Sequence, residues 1–260
     1  MEKKDSGFLL VDKPAGLTSH DVVDRLRRIT GIRKIGHAGT LDPFATGLLV
    51  VGIGREATKR LGEMTGKDKT YEAVAVLGAV SDTQDLTGEI VPTVSADGLG
   101  SNQAPLPTEK SVREAAASFL GQIEQVPPMY SAKKIRGKRL YELAREGRVV
   151  ERKPVQVTIH ELEITGYEPA PNDRAEASCE SAALLPSESR TCEKFYPRLS
   201  FRTKVSAGTY IRTLAHDLGQ KLGCGAYLES LRRTRSGDFD ISQAVRLEDL
   251  TGEDWLKFMK

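Results

Sequence analysis

An unbroken apolar run from Leu48 to Ile53 is entered through a segment, Gly36 to Gly47, that holds three glycines, one histidine and one carboxylate. The run predicts a buried strand. The glycines ahead of it allow positive φ and let a ligand approach the backbone, while Pro43 pushes Asp42 out of helical geometry and fixes the turn that follows. A single carboxylate delivered by such a loop at the mouth of a buried strand is a candidate for chemistry. Taken alone, an Asp-Pro pair is also an ordinary turn.

Around this segment, strands and helices mix without a regular βαβ alternation. Phe8 to Asp12 is apolar and Lys13-Pro14-Ala15-Gly16 breaks it. Thr18 with Asp21 has capping-box spacing; Val22, Leu26 and Ile29 form the apolar stripe of a helix that Gly31 ends. Tyr71 to Val80 predicts a strand, 93–110 a surface loop, and Ser111 with Glu114 the capped start of another helix. Val155, Val157 and Ile159 alternate, as do Leu199, Phe201, Thr203 and Val205, and Ile211, Leu214, Ala215, Leu218 and Leu222 follow helical spacing up to Gly223. The fold class expected is α+β with an antiparallel or mixed sheet.

Composition narrows the class of partner. The chain of 260 residues has 39% hydrophobic and 28% charged residues, as in a soluble globular protein. Near the start only Phe8 to Val11 is apolar, too short for a signal peptide or a membrane span, so a cytoplasmic protein is expected. Three cysteines, Cys179, Cys192 and Cys224, lack paired metal-site spacing and fit free thiols, with no metal. Net charge is only +2, but it is uneven. Tyr130 to Lys153 carries nine basic residues against three acidic, among them Lys133, Lys134 and Arg136, whereas Glu168 to Glu193 carries six acidic against two basic and is rich in Pro, Ser and Ala. The first stretch is a candidate RNA-binding strip and the second a mobile insertion.

The segment Gly36-His37-Ala38-Gly39-Thr40-Leu41-Asp42-Pro43-Phe44-Ala45-Thr46-Gly47 closely resembles the catalytic loop of the TruB family of RNA pseudouridine synthases. Four further stretches resemble that family in the same order: Leu10 to Ser19, Lys69 to Gly78, Gln125 to Lys133, and Gly208 to Ala215 followed by Leu231-Arg232-Arg233-Thr234. Five motifs in order over roughly residues 8 to 237 are far more specific than one short pattern.

The resemblance implies a pseudouridine synthase fold: a mixed, largely antiparallel central sheet flanked by helices, with a thumb-like insertion at about 121–148. It implies one catalytic domain over 1–237, from which two stretches depart: a mobile insertion at 168–193, longer than the family pattern, and a short C-terminal tail over 238–260 with no room for a full PUA-type RNA-binding domain. The activity implied is isomerisation of a uridine in the T stem-loop of tRNA, at position 55, without cofactor or metal, by a monomer with no obligatory protein partner. Asp42 is then the nucleophile, attacking either ribose C1′ or ring C6; Arg212 pairs with it, and Tyr71 lies against the base. Leu231 closes the apolar side of the pocket, Tyr210 belongs to the substrate site, and His37 fills the space left by the flipped base. Lys13, Lys133, Lys134, Arg232 and Arg233 are expected on phosphates, where they position RNA without reading its sequence. Two other readings stand beside this one. An idle RNA-binding or RNA-folding module of the same fold keeps the binding and loses the chemistry. Gly52-Ile53-Gly54-Arg55-Glu56-Ala57 matches the G-x-G-x-x-A pattern of dinucleotide-binding oxidoreductases, without the βαβ succession that pattern needs.

Overall fold

The computed structural model describes residues 6–94, 106–135, 137–170, 196–252 and 254–260. Among these, the chain runs through β1 (Gly7–Lys13), α1 (Ser19–Thr30), β2 (Ile35–Ala38), β3 (Thr46–Ile53), α2 (Gly54–Thr65) and β4 (Lys69–Leu77). It continues through β5 (Ala79–Ser81), β6 (Ile90–Pro92), α3 (Glu109–Ala117), β7 (Gly121–Gln125), β8 (Lys134–Ile135), β9 (Lys138–Arg139), α4 (Leu140–Arg145) and β10 (Val155–Glu168). Then follow β11 (Arg198–Val205), α5 (Ile211–Lys221), β12 (Ala226–Ser236), β13 (Phe239–Asp240) and β14 (Val245–Arg246). Ten strands make one sheet in the order β14-β1-β3-β12-β4-β11-β10-β7, with β2 on β3 and β13 on β12. The sheet is mixed: β1 and β2 run antiparallel to β3, and β12 runs parallel to it. The α+β class with a mixed sheet is therefore as expected.

Two compact units divide the chain, one of Met1–Glu72, Thr203–Gly208 and Leu231–Lys260, the other of Ala73–Arg202 and Thr209–Ser230. Three of the four dividing points fall inside strands β4, β11 and β12, and the fourth, between Gly208 and Thr209, lies between β11 and α5. Because the pattern of a strand does not change within it, no shift in composition marks those three.

In unit one the apolar run of β3 is explained by helices on both faces. Leu9, Val11, Leu49, Val51 and Ile53 point to one side, where Val22, Val23 and Leu26 of α1 cover them. Phe8, Leu10, Leu48 and Val50 point to the other, against Ala57 and Leu61 of α2. Successive side chains of a strand alternate faces, so a strand covered twice has no polar position to show. The cap of α1 is as the sequence predicts: Thr18 Oγ1 accepts from Asp21 N (3.0 Å) and the Asp21 carboxylate accepts from Thr18 N (2.8 Å).

The segment after Ser236 is more than a tail. Val245, Leu247, Leu250 and Trp255 are buried with α1 and β1, β14 pairs with β1, and Lys260 exchanges two backbone hydrogen bonds with Phe8. These apolar residues follow neither helical nor strand spacing, which hides their role in the sequence.

Three boundaries also differ from expectation. Part of the glycine-rich loop is a strand, β2, with His37 opposite Val51. The strand expected over Tyr71 to Val80 is interrupted at Gly78 and resumes as β5. The helix expected from Ser111 begins at Glu109, because Thr108 is the residue whose side chain accepts from Ser111 N. Residues 95–105 of the expected loop, nearly all of the insertion at 168–193, and Arg136 lie outside the described residues.

Two close backbone approaches account for glycines in this unit. Gly52 lies where a Cβ would come within 3.2 Å of the Ala57 backbone, so the G-x-G-x-x-A pattern serves the packing of α2 on β3. Gly47 has φ +100°, and a Cβ there would meet the Arg233 carbonyl oxygen at 2.3 Å, where β12 pairs with β3. Gly47→Ala is expected to destabilise the protein by about 2–4 kcal/mol, combining backbone strain with overpacking. Urea unfolding checks this, and a loss below about 0.5 kcal/mol, the scale of an innocuous surface change, contradicts it.

Candidate active site

The loop that carries Asp42 is fastened on both sides of that residue. On one side Leu41 is tied to Ser19, the buried first residue of α1: Leu41 N donates to Ser19 Oγ (2.9 Å), which donates back to Leu41 O (3.2 Å). On the other, Pro43 O accepts from Gly16 N (2.8 Å) and from Lys13 Nζ (3.2 Å), and Ala45 N closes on Asp42 O (3.1 Å). Asp42 itself is half-buried between these anchors. A reacting group has to be held to a fraction of an ångström, and here a loop achieves that through bonds to its own backbone.

Lys13 does not reach for a phosphate. It is fully buried, and its ammonium donates to the carbonyls of Pro14 (2.8 Å), Leu17 (2.7 Å) and Pro43 (3.2 Å). An ammonium has three donors, and these three carbonyls use them. Burial brings its pKa down to about 8; Asp42 opposes the fall and Arg233 adds to it. Arg233, likewise expected on RNA, is 1% exposed. Its Nε donates to Leu48 O (2.7 Å) and its Nη2 to Gly39 O (3.1 Å), so the guanidinium bridges the two ends of the Asp42 loop. Both residues are corrected from phosphate contacts to internal struts. Arg232 pairs with Asp12 through two contacts (2.7 and 3.1 Å), and its side chain stays 39% exposed.

A second buried lysine went unnoticed in the sequence. Lys69 donates to Thr65 O (2.5 Å) and Lys67 O (2.6 Å), and burial, with Arg233 adding to it, brings its pKa down to about 8. His37 is half-buried, with its Nδ1 enclosed and unpartnered. Burial first, then Arg233 and His20, push its pKa below the ordinary histidine value. The ring is therefore neutral at pH 7, which suits stacking rather than pairing with phosphate. Tyr71 and Leu231 are buried in unit one as well, at 8% and 6% exposure.

Arg212, Tyr210, Lys133 and Lys134 belong to unit two. Arg212 stands in the first turn of α5 and is 3% exposed. Its Nη1 donates to Thr83 O (2.7 Å) and lies 3.4 Å from Asp85 Oδ2, while its Nη2 donates to Tyr130 O (2.7 Å). Asp85, absent from the residues singled out in the sequence, is 4% exposed, and its Oδ1 accepts from Thr83 Oγ1 (2.8 Å), Thr87 N (2.9 Å) and Thr87 Oγ1 (2.5 Å). A buried carboxylate supplied with hydroxyls, an amide and a cation is the arrangement that makes a buried ion pair tolerable. The alternation of acidic and hydroxyl residues in Ser81-Asp82-Thr83-Gln84-Asp85-Leu86-Thr87 was the available sign of such a turn.

The basic thumb-like segment folds as β7, the β8-β9 pair and α4, with Leu140 and Leu143 buried. Lys134 is exposed and Lys133 half-buried. Arg139 and Arg145 both lie over the Tyr141 ring, at 5.7 and 5.6 Å. Among the described residues, no group of three or more His, Cys, Asp or Glu side chains is placed to hold a metal ion, and no helix is long and apolar enough to cross a membrane.

Comparison with known proteins gives consistent matches. The profile of the TruB family pseudouridylate synthase N-terminal domain matches residues 27–185, and that of the tRNA pseudouridylate synthase B C-terminal domain matches 212–257. The chain is 46% identical over 239 residues to tRNA pseudouridine synthase B of Chlamydia muridarum, covering 92% of this chain and 84% of that one. It is 44% identical over 243 residues to the protein of that name from Syntrophotalea carbinolica, covering 94% and 68%. Among solved structures, a chain of a Cbf5-Nop10-Gar1 complex is 27% identical with a TM-score of 0.64, covering 98% of this chain and 59% of that one. A chain of an H/ACA RNP bound to a substrate RNA is 26% identical with a TM-score of 0.60, covering 94% and 52%. This chain spans little more than half the length of those two solved chains.

Proposed function

Because the chain belongs to the TruB family of pseudouridylate synthases, enzymes that isomerise uridine to pseudouridine in tRNA, we propose that Asp42 is its nucleophile and that the target is uridine 55 in the T-loop. The observation that carries this reading is the loop itself: a half-buried carboxylate whose neighbours on both sides are bonded to the buried Ser19 and Lys13. The reaction breaks the bond from ribose C1′ to N1, turns the base and joins C1′ to C5. A carboxylate assists by adding to C1′ or to C6, with a covalent adduct in either case. Arg212 serves that carboxylate electrostatically. The Tyr71 ring stacks on the base and its phenolic oxygen takes the C5 proton. Leu231 gives the base an apolar wall, and Tyr210 takes part in holding it. The target uridine has to leave its stack before the carboxylate reaches it, and the neutral His37 ring takes the vacated place.

All these roles are filled by one copy of the chain, so the reading needs neither a second protein nor a second protomer. Its substrate places it in the cytoplasm. Release of the C5 hydrogen from a uridine-labelled tRNA transcript tests the activity: stoichiometric release supports the reading, and none from a transcript that binds contradicts it.

Lys133, Lys134 and Arg232 remain as phosphate contacts. Lys133→Ala with Lys134→Ala is expected to weaken binding to all tRNA species alike and to flatten the slope of log affinity against log salt by about one to two units. An unchanged slope in filter binding removes the thumb from the interface.

A further inference from the structure

Gln125 closes β7 at the root of the thumb and is fully buried. Its side-chain amide makes a two-point bond to the backbone of Tyr210: Oε1 accepts from Tyr210 N (2.9 Å) and Nε2 donates to Tyr210 O (3.0 Å). Tyr210 is the N-cap residue of α5, and its own side chain makes no capping bond. Its carbonyl also accepts from Leu214 N (3.0 Å), the bond that starts the helix. The amide of Gln125 thus stands where a neighbouring strand's peptide would, and satisfies both backbone groups of the residue on which α5 begins.

Arg212 follows two residues later and returns a bond to the same segment, from Nη2 to Tyr130 O. The stretch Gln125 to Tyr130 is therefore bolted to Tyr210 at one end and to Arg212 at the other. Between the bolts lie Pro127 and Pro128, both buried, whose rings fix φ and remove two backbone donors, and Pro127 O is itself held by Arg152 Nη1 (3.2 Å). A stiff strap with two attachments fixes the first turn of α5 in position as well as in direction.

We propose that Gln125 is a positioning residue for the reaction: its buried amide sets the first turn of α5, and through that turn the Arg212 guanidinium. The inference rests on the reading that Arg212 serves the chemistry. Removing the amide takes away both of the bonds that Gln125 makes to the Tyr210 backbone at the start of the helix, and the turn shifts to replace them.

The test uses the full chain and a tRNA transcript labelled at uridine C5, with folded enzyme in excess, so that the limiting single-turnover rate does not depend on how much enzyme is folded. Gln125→Met keeps the volume and loses both bonds; Gln125→Glu keeps the acceptor for Tyr210 N and loses the donor. Gln125→Met is expected to lower the limiting rate by on the order of ten- to a hundredfold, the scale of a small misplacement of a catalytic group. RNA affinity is expected to stay within about threefold, and Gln125→Glu to fall between Gln125→Met and the unmodified protein. In an Arg212→Lys background, Gln125→Met should cost less than about twofold more, because residues acting as a unit are not additive. An unchanged limiting rate in both Gln125 variants, or a full loss repeated in the Arg212→Lys background, overturns the proposal. If Arg212→Lys alone reacts at the unmodified rate, the reading of Arg212 fails, and the route proposed for Gln125 fails with it.

Discussion

Arg212→Ala is expected to react about a hundredfold more slowly than the unmodified protein at every pH from 6 to 9. Two ways for an arginine to help a carboxylate nucleophile predict different pH behaviour. If it only kept Asp42 ionised, a rise in the carboxylate pKa from about 3.9 to about 7 would leave roughly half the sites active at neutral pH, and alkaline solution would restore the rest. If it aims and stabilises the reacting group, the loss persists at any pH. The surroundings of Arg212 favour the second: its guanidinium is held by Thr83 O, Tyr130 O and Asp85, three contacts that fix its direction. A charge needed only for its sign requires no such fixing. The same substitution leaves Asp85 buried without its cation, which is expected to cost about 3–5 kcal/mol of stability. Rates therefore have to be taken with folded enzyme in excess. Recovery to near the unmodified rate at pH 9 would contradict the positioning account.

How much of this was legible in the sequence depended on whether neighbours in the chain set the structure. Thr18, Asp21 and Gly31 fix the ends of α1 through bonds no longer than one turn, and the run from Leu48 to Ile53 announces its own burial. The family motifs carried Asp42, Tyr71 and Arg212 as candidates. Burial of Lys13 and Arg233 was not legible, because a charged side chain is ordinarily read as exposed. What permits their burial is a set of carbonyls distant in sequence: Leu48 O for Arg233, and Pro43 O for Lys13. Asp85 was missed for the same reason, its cation lying on a helix more than a hundred residues away. Trp255 and Leu250 belong to the core of unit one although their spacing fits no regular element. Gln125 carried no sign of its role, since a glutamine at the end of a strand is ordinarily solvated.

Burial places two cations in the scaffold of the Asp42 loop rather than on a solvent-facing surface. Lys13 and Arg233 hold the backbone around Asp42, and in the proposed function the phosphate contacts are left to Arg232 and the thumb lysines. Substitutions of the first pair should therefore alter the limiting rate and the stability, while substitutions of the second should alter the salt dependence of binding.

In the proposed reaction the Asp42 carboxylate forms a bond to the substrate uridine. Asp42→Asn tests it with little disturbance, because the bonds that fasten the loop come from the backbone of Leu41, Asp42 and Pro43 and survive the change. The amide keeps the shape of the side chain and loses the attacking oxygen. The measurement is single-turnover release of the C5 hydrogen from a tRNA transcript, beside the affinity for the same RNA. A fall in rate of at least about 10⁴-fold is expected, as for the loss of other enzymes' nucleophiles, with affinity within about threefold. Release by Asp42→Asn at more than about a hundredth of the unmodified rate, well above what loss of a nucleophile leaves, would contradict it.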